Sequence, residues 1–393
     1  MRITLKKICQ KAVEWSNFHY RLLTVSTYHD YSMSHNGQYM TIQKECHMPV
    51  TPVKYVGEKQ QEDVFGILPE QYFTILSGVS VIGASNVIIA GKFLLYDLLK
   101  KKKNNYNITD KGLFRVLNSP IHIGRKYFAC YIEKGAGVPC AICLIGNYSG
   151  NLYHFIYEIL SKWYIIQNLD IPNEIPLLVD ASVREIPQFK DMMSIFSGRR
   201  EIIYVEKLQC RDVAKLYYPS MVNMIPPNMK KMEFLISEDI VFDIKSIYFL
   251  RCSFLKEIEA MNYPVHPKIF ISRKSTRWRK YNEDEIIDVV ISKGFKVVYP
   301  ELMTIREQFF LYSHVDYIIA ASGAALSNII CCKPNTKVLV LISNRLDLTI
   351  YSTIAKSLDI DLTYLSGKIT NYNNVQSDFI IDCDELRNVL NNE

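Results

Sequence analysis

Tyr317-Ile318-Ile319-Ala320 leads through Ala321 into Ser322-Gly323-Ala324-Ala325-Leu326-Ser327-Asn328. An apolar run, a glycine turn and a run of small residues read as strand, tight turn and helix N-terminus. That arrangement offers backbone N–H groups and the positive end of a helix dipole to an anion. Small residues let a diphosphate approach the backbone closely. Parallel sheets also turn this way for packing alone, so both readings stay open for the loop by itself.

Working outward, residues 268 onward alternate regularly. Strands are predicted over Lys268–Ser272, Phe295–Tyr299, Asp316–Ala320 and Lys337–Ile342. Helices are predicted over Glu283–Lys293, Ile305–Ser313, Ala324–Cys332 and Leu348–Leu358. Asn282 with Glu285, and Thr304 with Glu307, have capping-box spacing. Apolar strands alternating with helices make a parallel sheet covered on both faces. The first half is less regular. Residues 72–99, broken by Gly78, Gly83 and Gly91, read as hairpins or a small edge sheet. Strands follow at Lys126–Ile132 and Ala141–Ile145, then a long aromatic helix over Leu152–Asn168. Strand Ile175–Val179, helix Arg184–Phe196 and strand Glu201–Val205 complete an α/β pattern. Pro264 and Pro267 mark a link between Lys256 and Pro267. This divides the chain into an α/β domain (1–258), a Rossmann-like domain whose glycine loop suggests a nucleotide-sugar site (259–370) and a terminal strand and helix (371–393) packing back towards the first. Two such domains place ligands in a cleft at the carboxyl ends of their strands.

Composition bounds the class. The 393 residues are 49% hydrophobic and 22% charged, ordinary for a globular protein of two domains. A net charge of +6 suits anionic substrates or a membrane surface and falls short of a nucleic-acid binder. The 26 tyrosines and 18 phenylalanines serve either a sugar cleft or ordinary packing. Ten cysteines sit mostly in apolar runs, and Cys140–Cys143 has no second pair at zinc spacing. Buried free thiols imply a reducing compartment; the expected location is the cytoplasm, with peripheral contact at the inner face of the cytoplasmic membrane left open. The longest apolar stretch, 317–332, is interrupted and shorter than the ~20 residues a span needs. Leu5, Ile8, Ala12 and Trp15, interleaved with Lys6, Lys7 and Lys11, fit a membrane-surface helix or one docked on its own domain. Lys100–Lys103 offers the same choice, with a solvated loop as the default.

Two constellations carry chemistry. Asn151, His154 and Glu158 fall on one stripe of an otherwise apolar helix. A carboxylate four residues from an imidazole tunes it or serves as general base. An N-cap asparagine with a His–Glu pair anchoring the core fits the spacing equally well. Ser272-Arg273 ends a strand, with Arg277, Arg279 and Asn282-Glu283 following. Arginines at that edge match a leaving diphosphate, and a solvated basic loop is the plain alternative. Position favours the former, because this loop and the glycine loop open on the same edge of one sheet. Gln308 has no evident structural reason, and Asp180 and Glu206 follow strands without a role.

The order Asn151-x-x-His154-Phe155-x-x-Glu158, Ser272-Arg273, Arg279-x-x-Asn282-Glu283, Glu307-Gln308 and Gly323-Ala324-Ala325-Leu326-Ser327-Asn328 resembles glycosyltransferase family 61 over roughly residues 150–345. The resemblance implies a GT-B-like fold of two Rossmann-like domains facing across a cleft. It implies inverting transfer from a nucleotide sugar to a glycan or lipid-linked glycan, with no cofactor and no metal, in capsular or other surface-polysaccharide biosynthesis. Arg273, Arg279, Asn282, Gln308, Ser322, Gly323, Ala324, Ala325 and Asn328 would bind the donor. Glu158, then His154, would take the acceptor's proton beside Asn151. Cationic and N–H groups would stabilise the leaving diphosphate. Members commonly carry histidine where Ser322 stands, and an acidic residue at the end of the next strand, here Val340-Leu341-Ile342. These departures motivate an alternative, a degenerate transferase fold kept as a binding or scaffolding subunit. A nicotinamide dehydrogenase lacks its GxGxxG turn.

Overall fold

The computed structural model describes residues 19–35, 37–97, 126–133, 137–225, 237–274, 279–343, 349–370 and 377–392. The basic N-terminal stretch, Lys100–Lys103 and Arg277 lie outside them.

Strands of the first half are β1 (His19–Ser26), β2 (Gln38–Gln43), β3 (Cys46–Val50), β4 (Val64–Leu68), β5 (Gln71–Ile82) and β6 (Ile88–Ala90). They continue with β7 (Phe93–Leu95), β8 (Lys126–Glu133), β9 (Val138–Leu144), β10 (Leu177–Asp180), β11 (Ile202–Val205) and β12 (Gln209–Pro219). All but β3 and β4 join one mixed sheet ordered β11-β10-β9-β12-β8-β1-β7-β6-β5-β2. β12 also pairs with β5, which closes six of the strands into a ring. Leu23, Ile82, Ile89 and Leu94 pack together as a small core of their own. Residues 72–97 make the expected antiparallel hairpins, β5–β6 and β6–β7, within the large sheet rather than in an edge sheet of their own. β5 runs through Gly78, whose φ of +61° leaves open space where a Cβ would sit, and pairs on both sides. β12 escaped the sequence pattern because its first half, Gln209-Cys210-Arg211-Asp212, is polar. A parallel run survives in β9, β10 and β11.

In the second half β13 (Lys268–Ile271), β14 (Lys296–Val298), β15 (Tyr317–Ala321), β16 (Lys337–Ser343), β17 (Asp361–Ile369) and β18 (Phe379–Ile380) form a sheet ordered β14-β13-β15-β16-β17-β18. All pairings are parallel except β17–β18. The described terminal strand and helix sit on the second sheet, where Val56 of the first half packs against the same cluster as Phe379, Ile381 and Leu386. β18 extends this sheet, and the helix Cys383–Asn391 packs on the helix Glu283–Ser292. The reason is local: Leu386 is fully buried and joins Ile286 and Val290 in one apolar cluster.

One apolar core lies between the sheets. Ile142, Leu144, Leu177 and Val179 from the first sheet share it with Ile269, Ile271, Ile318 and Val340 from the second. Alternate residues of the same strands, such as Cys143 and Phe270, face separate clusters outside. Period-two alternation thus covers both sheets on both faces. Burial of Cys143 on the far face from its half-buried neighbour along the strand, Cys140, separates the CxxC thiols. The helix Ile244–Lys256 buries Ile247, Leu250 and Phe254 in the shared core. Its Arg251 donates to the carbonyls of Ile330 and Cys332, both at 2.6 Å.

Candidate active site

Parallel strands end where their loops diverge, and the two sets of carboxyl ends converge on one cavity of about 500 Å³. Ile271–Arg273, Arg279, Pro300, Glu301 and Gly323–Ala325 line it from the second half. Asn151, Leu152, Ile186, Gln188 and Phe189 line it from the first. Gln188 donates to the carbonyl of Met303 at 3.0 Å, joining the walls at the floor. Arg273 and Arg279 also border an adjoining recess of about 350 Å³ with Lys274 and Lys280.

The second wall is cationic. Arg273 Nη1 donates to the carbonyl of Ser322 at 2.6 Å, seating the guanidinium against the glycine loop. Glu283 Oε1 accepts from the Arg273 amide at 2.8 Å and from Ser272 Oγ at 2.6 Å, so one buried carboxylate shapes the strand end. Burial first, then the charge of Arg279, brings the Arg273 guanidinium down to about 10. Burial also lowers Arg279. Its Nε is buried without a hydrogen-bond partner among the described residues, and its backbone is held at φ +52°. Two like charges crowded and half-buried at the same cavity are relieved by an anion bridging them. Tyr351, which the sequence did not flag, donates to the Gly323 carbonyl at 2.6 Å. Burial pushes its hydroxyl up to about 12.

Gly323 differs from its sequence reading. Its φ of 176° is extended backbone open to any residue. A Cβ there would stand 3.3 Å from Arg273 Cζ. Approach of the arginine, rather than turn geometry, crowds a side chain at this position. The helix that follows, Ala324–Cys331, is of the tighter 3₁₀ form rather than α.

The first wall departs from the expected long helix. Residues 152–166 run as one α turn, a π turn over Phe155–Ile159, a 3₁₀ turn over Leu160–Lys162 and a final α turn. π turns inside helices recur at functional sites. Asn151 Oδ1 caps the segment by accepting from the Tyr153 amide at 3.0 Å, while its side chain borders the cavity. His154 Nδ1 and Glu158 Oε1 are 2.7 Å apart, with side-chain exposures of 23% and 8%. The pair stands beside the cavity wall and does not line it. Tyr153 and Tyr157 tie this segment to the glycine loop. Tyr157 Oη donates to the Ser327 carbonyl at 2.8 Å, and the Tyr153 ring meets that of Tyr351 edge-on.

Of the twelve residues selected from sequence, the cavity gathers Asn151, Arg273, Arg279, Gln308, Gly323, Ala324 and Ala325. Gln308 does have a structural reason. Its Nε2 donates to Pro300 O at 2.8 Å and its Oε1 accepts from Asn328 Nδ2 at 2.8 Å, so both ends of the amide are used. Asn328 is fully buried behind it. Ser322 is buried as well, and its Oγ has no hydrogen-bond partner among the described residues. Asn282 does not border the cavity. It makes no cap bond to its helix; its amide engages Ile381 instead. Asp180 accepts from the Gly146 amide at 2.9 Å and from that of Ala84, deep below the loops. Glu206 is a surface partner of Arg184 at 3.0 Å.

No helix among the described residues is long and apolar enough to cross a membrane. No curated protein matches the chain in sequence. The family model described as Glycosyltransferase 61 matches residues 152–339, from the start of the broken helix to the middle of β16. That span holds every lining residue of the cavity except Asn151. Over residues 152–339, the stretch that builds the cavity, the chain is similar to glycosyltransferase family 61.

Proposed function

We propose that the protein is an inverting glycosyltransferase that moves a sugar from a nucleotide-sugar donor to a glycan acceptor in surface-polysaccharide assembly. Similarity to the family supports sugar transfer. The observation that carries the finer reading is the pair of crowded arginines, Arg273 and Arg279, at a cavity of about 500 Å³ between two sets of strand ends. In this reading the halves act as the two lobes of a GT-B-like enzyme and the cavity is the donor site.

The donor's diphosphate lies against Arg273, Arg279 and the Gly323–Ala325 backbone, where their charge stabilises the leaving group. Across the cavity the acceptor hydroxyl attacks the anomeric carbon and gives up its proton. In this reading the order of the two base candidates, Glu158 before His154, is exchanged on the strength of their burial. Glu158 is the more enclosed, and His154, with Nδ1 on the carboxylate, is the more open. His154 therefore takes the proton on Nε2, and Glu158 orients the ring and stabilises its cation, the division of labour of a carboxylate–histidine pair.

A thermal-shift screen of nucleotide sugars tests this. A donor bound only by the folded chain raises the Tm, and Arg273→Ala is expected to abolish that rise. A variant that binds as tightly as the parent removes Arg273 from the scheme.

A further inference from the structure

Asn282 and the chain terminus meet at a place that neither cavity wall explains. The backbone beyond Arg279 is stitched to the segment Asp378–Ile381 by consecutive bonds. Lys280 N donates to Asp378 Oδ1 at 2.7 Å, and Phe379 N donates to Lys280 O at 3.0 Å. Asn282 Oδ1 accepts from Ile381 N at 2.9 Å, while its Nδ2 donates to Ile381 O at 3.0 Å. The side-chain amide thus pairs with both polar groups of one residue, as a neighbouring strand would. Between these bonds the Tyr281 ring stacks on Phe379, centroids 5.4 Å apart and planes 11° from parallel.

The other edge of the same segment is anchored. Phe379 and Ile380 pair with Ile369 and Lys368 of β17, and Thr370 N donates to Asp378 O at 2.9 Å. Gly367 lies so close that a Cβ would fall 2.6 Å from Ile380 O. The terminal strand is therefore wedged between the sheet and the residues that carry Arg279. Arg279 needs such support. A non-glycine residue at φ +52° holds a strained backbone conformation that persists where its surroundings over-determine it.

We propose that the strand Asp378–Ile381 is a strap that holds Arg279 at the anion site, with Asn282 its buckle: a positioning residue and not a ligand contact. This rests on the reading that the cavity takes a diphosphate. Inorganic pyrophosphate is the probe, titrated by calorimetry into the full-length parent, Arg279→Ala, Asn282→Ala and the double variant. Asn282→Ala is expected to weaken binding roughly tenfold, about as much as Arg279→Ala, with the double variant no weaker than either single. Asn282→Gln, which keeps both amide groups, is expected to recover part of the loss. Equal weakening by Asn282→Ala with or without Arg279, or no weakening at all, overturns the strap and leaves the anion site standing. A parent that takes up no pyrophosphate overturns both.

Discussion

Arg273 and Gly323 form one unit, because a guanidinium 3.3 Å from where a Cβ would sit must give way to any side chain there. Gly323→Ala should push the arginine by a few tenths of an ångström and weaken pyrophosphate binding by roughly threefold to tenfold. Its Tm should stay within a degree or two of the parent's; a large stability loss with unchanged binding would contradict this account. His154→Ala and Glu158→Gln should each lower kcat by roughly 10²–10⁴-fold while leaving donor binding intact, as single-turnover assays would resolve. Loss of donor binding in either variant would instead mark the pair as structural. Asp180 is titratable for a different reason. Burial raises its carboxyl from 3.8 to about 6, against the bonds from Gly146 and Ala84. A folded-state value above the unfolded one contributes stability that is full below about pH 4 and lost as pH rises through 6. Asp180→Asn lacks that loss, so its Tm relative to the parent should climb between pH 4 and 7. The gain amounts to up to about 3 kcal/mol. A flat difference across that range would show that Asp180 does not carry the effect.

Helix starts show how far local rules extend at the scale of elements. Thr304 and Glu307 make the capping box their spacing predicts, with Thr304 N donating to Glu307 Oε2 at 2.7 Å and Glu307 N to Thr304 Oγ1 at 3.3 Å. Thr304→Ala should cost about 1 kcal/mol, read as a shift in the denaturant midpoint at constant m. Asn282 and Glu285 have the same spacing and make no such box: Ile381 N takes the asparagine Oδ1 that would cap the helix, and the two side chains meet only through Asn282 Nδ2 on Glu285 Oε2 at 2.7 Å. Sequence separation of 99 residues hides that competitor from any local pattern. The helix at 152–166 fails differently. Its apolar periodicity is real, and the π turn coincides with two tertiary contacts, of Tyr157 and Ile159. Tyr157 bonds the Ser327 carbonyl, and the Ile159 side chain packs over Gly146, 2.5 Å from where a Cβ would stand.

The whole molecule is held by a core to which both sheets contribute. Polar links reinforce it: the Thr51 amide donates to Thr353 Oγ1 at 3.1 Å and Ser352 Oγ to the Thr51 carbonyl at 2.6 Å. Halves sharing one core should unfold together. Calorimetry should show a single transition with matching calorimetric and van't Hoff enthalpies; two resolved peaks would mean that each half is stable alone. Sequence alone settled the alternation of strands and helices from 268 to 358, and missed β17 beyond it. It also settled the arginine and glycine loops at one sheet edge, since period, cap and turn preferences act within a few residues. Only the tertiary structure decided that β12 closes a ring with β5, that Gln308 and Asn328 satisfy each other, and that the terminal strand grips Asn282. Each of those is a pairing between groups far apart in the chain, and partners at such distance are chosen by what packing brings within hydrogen-bond reach.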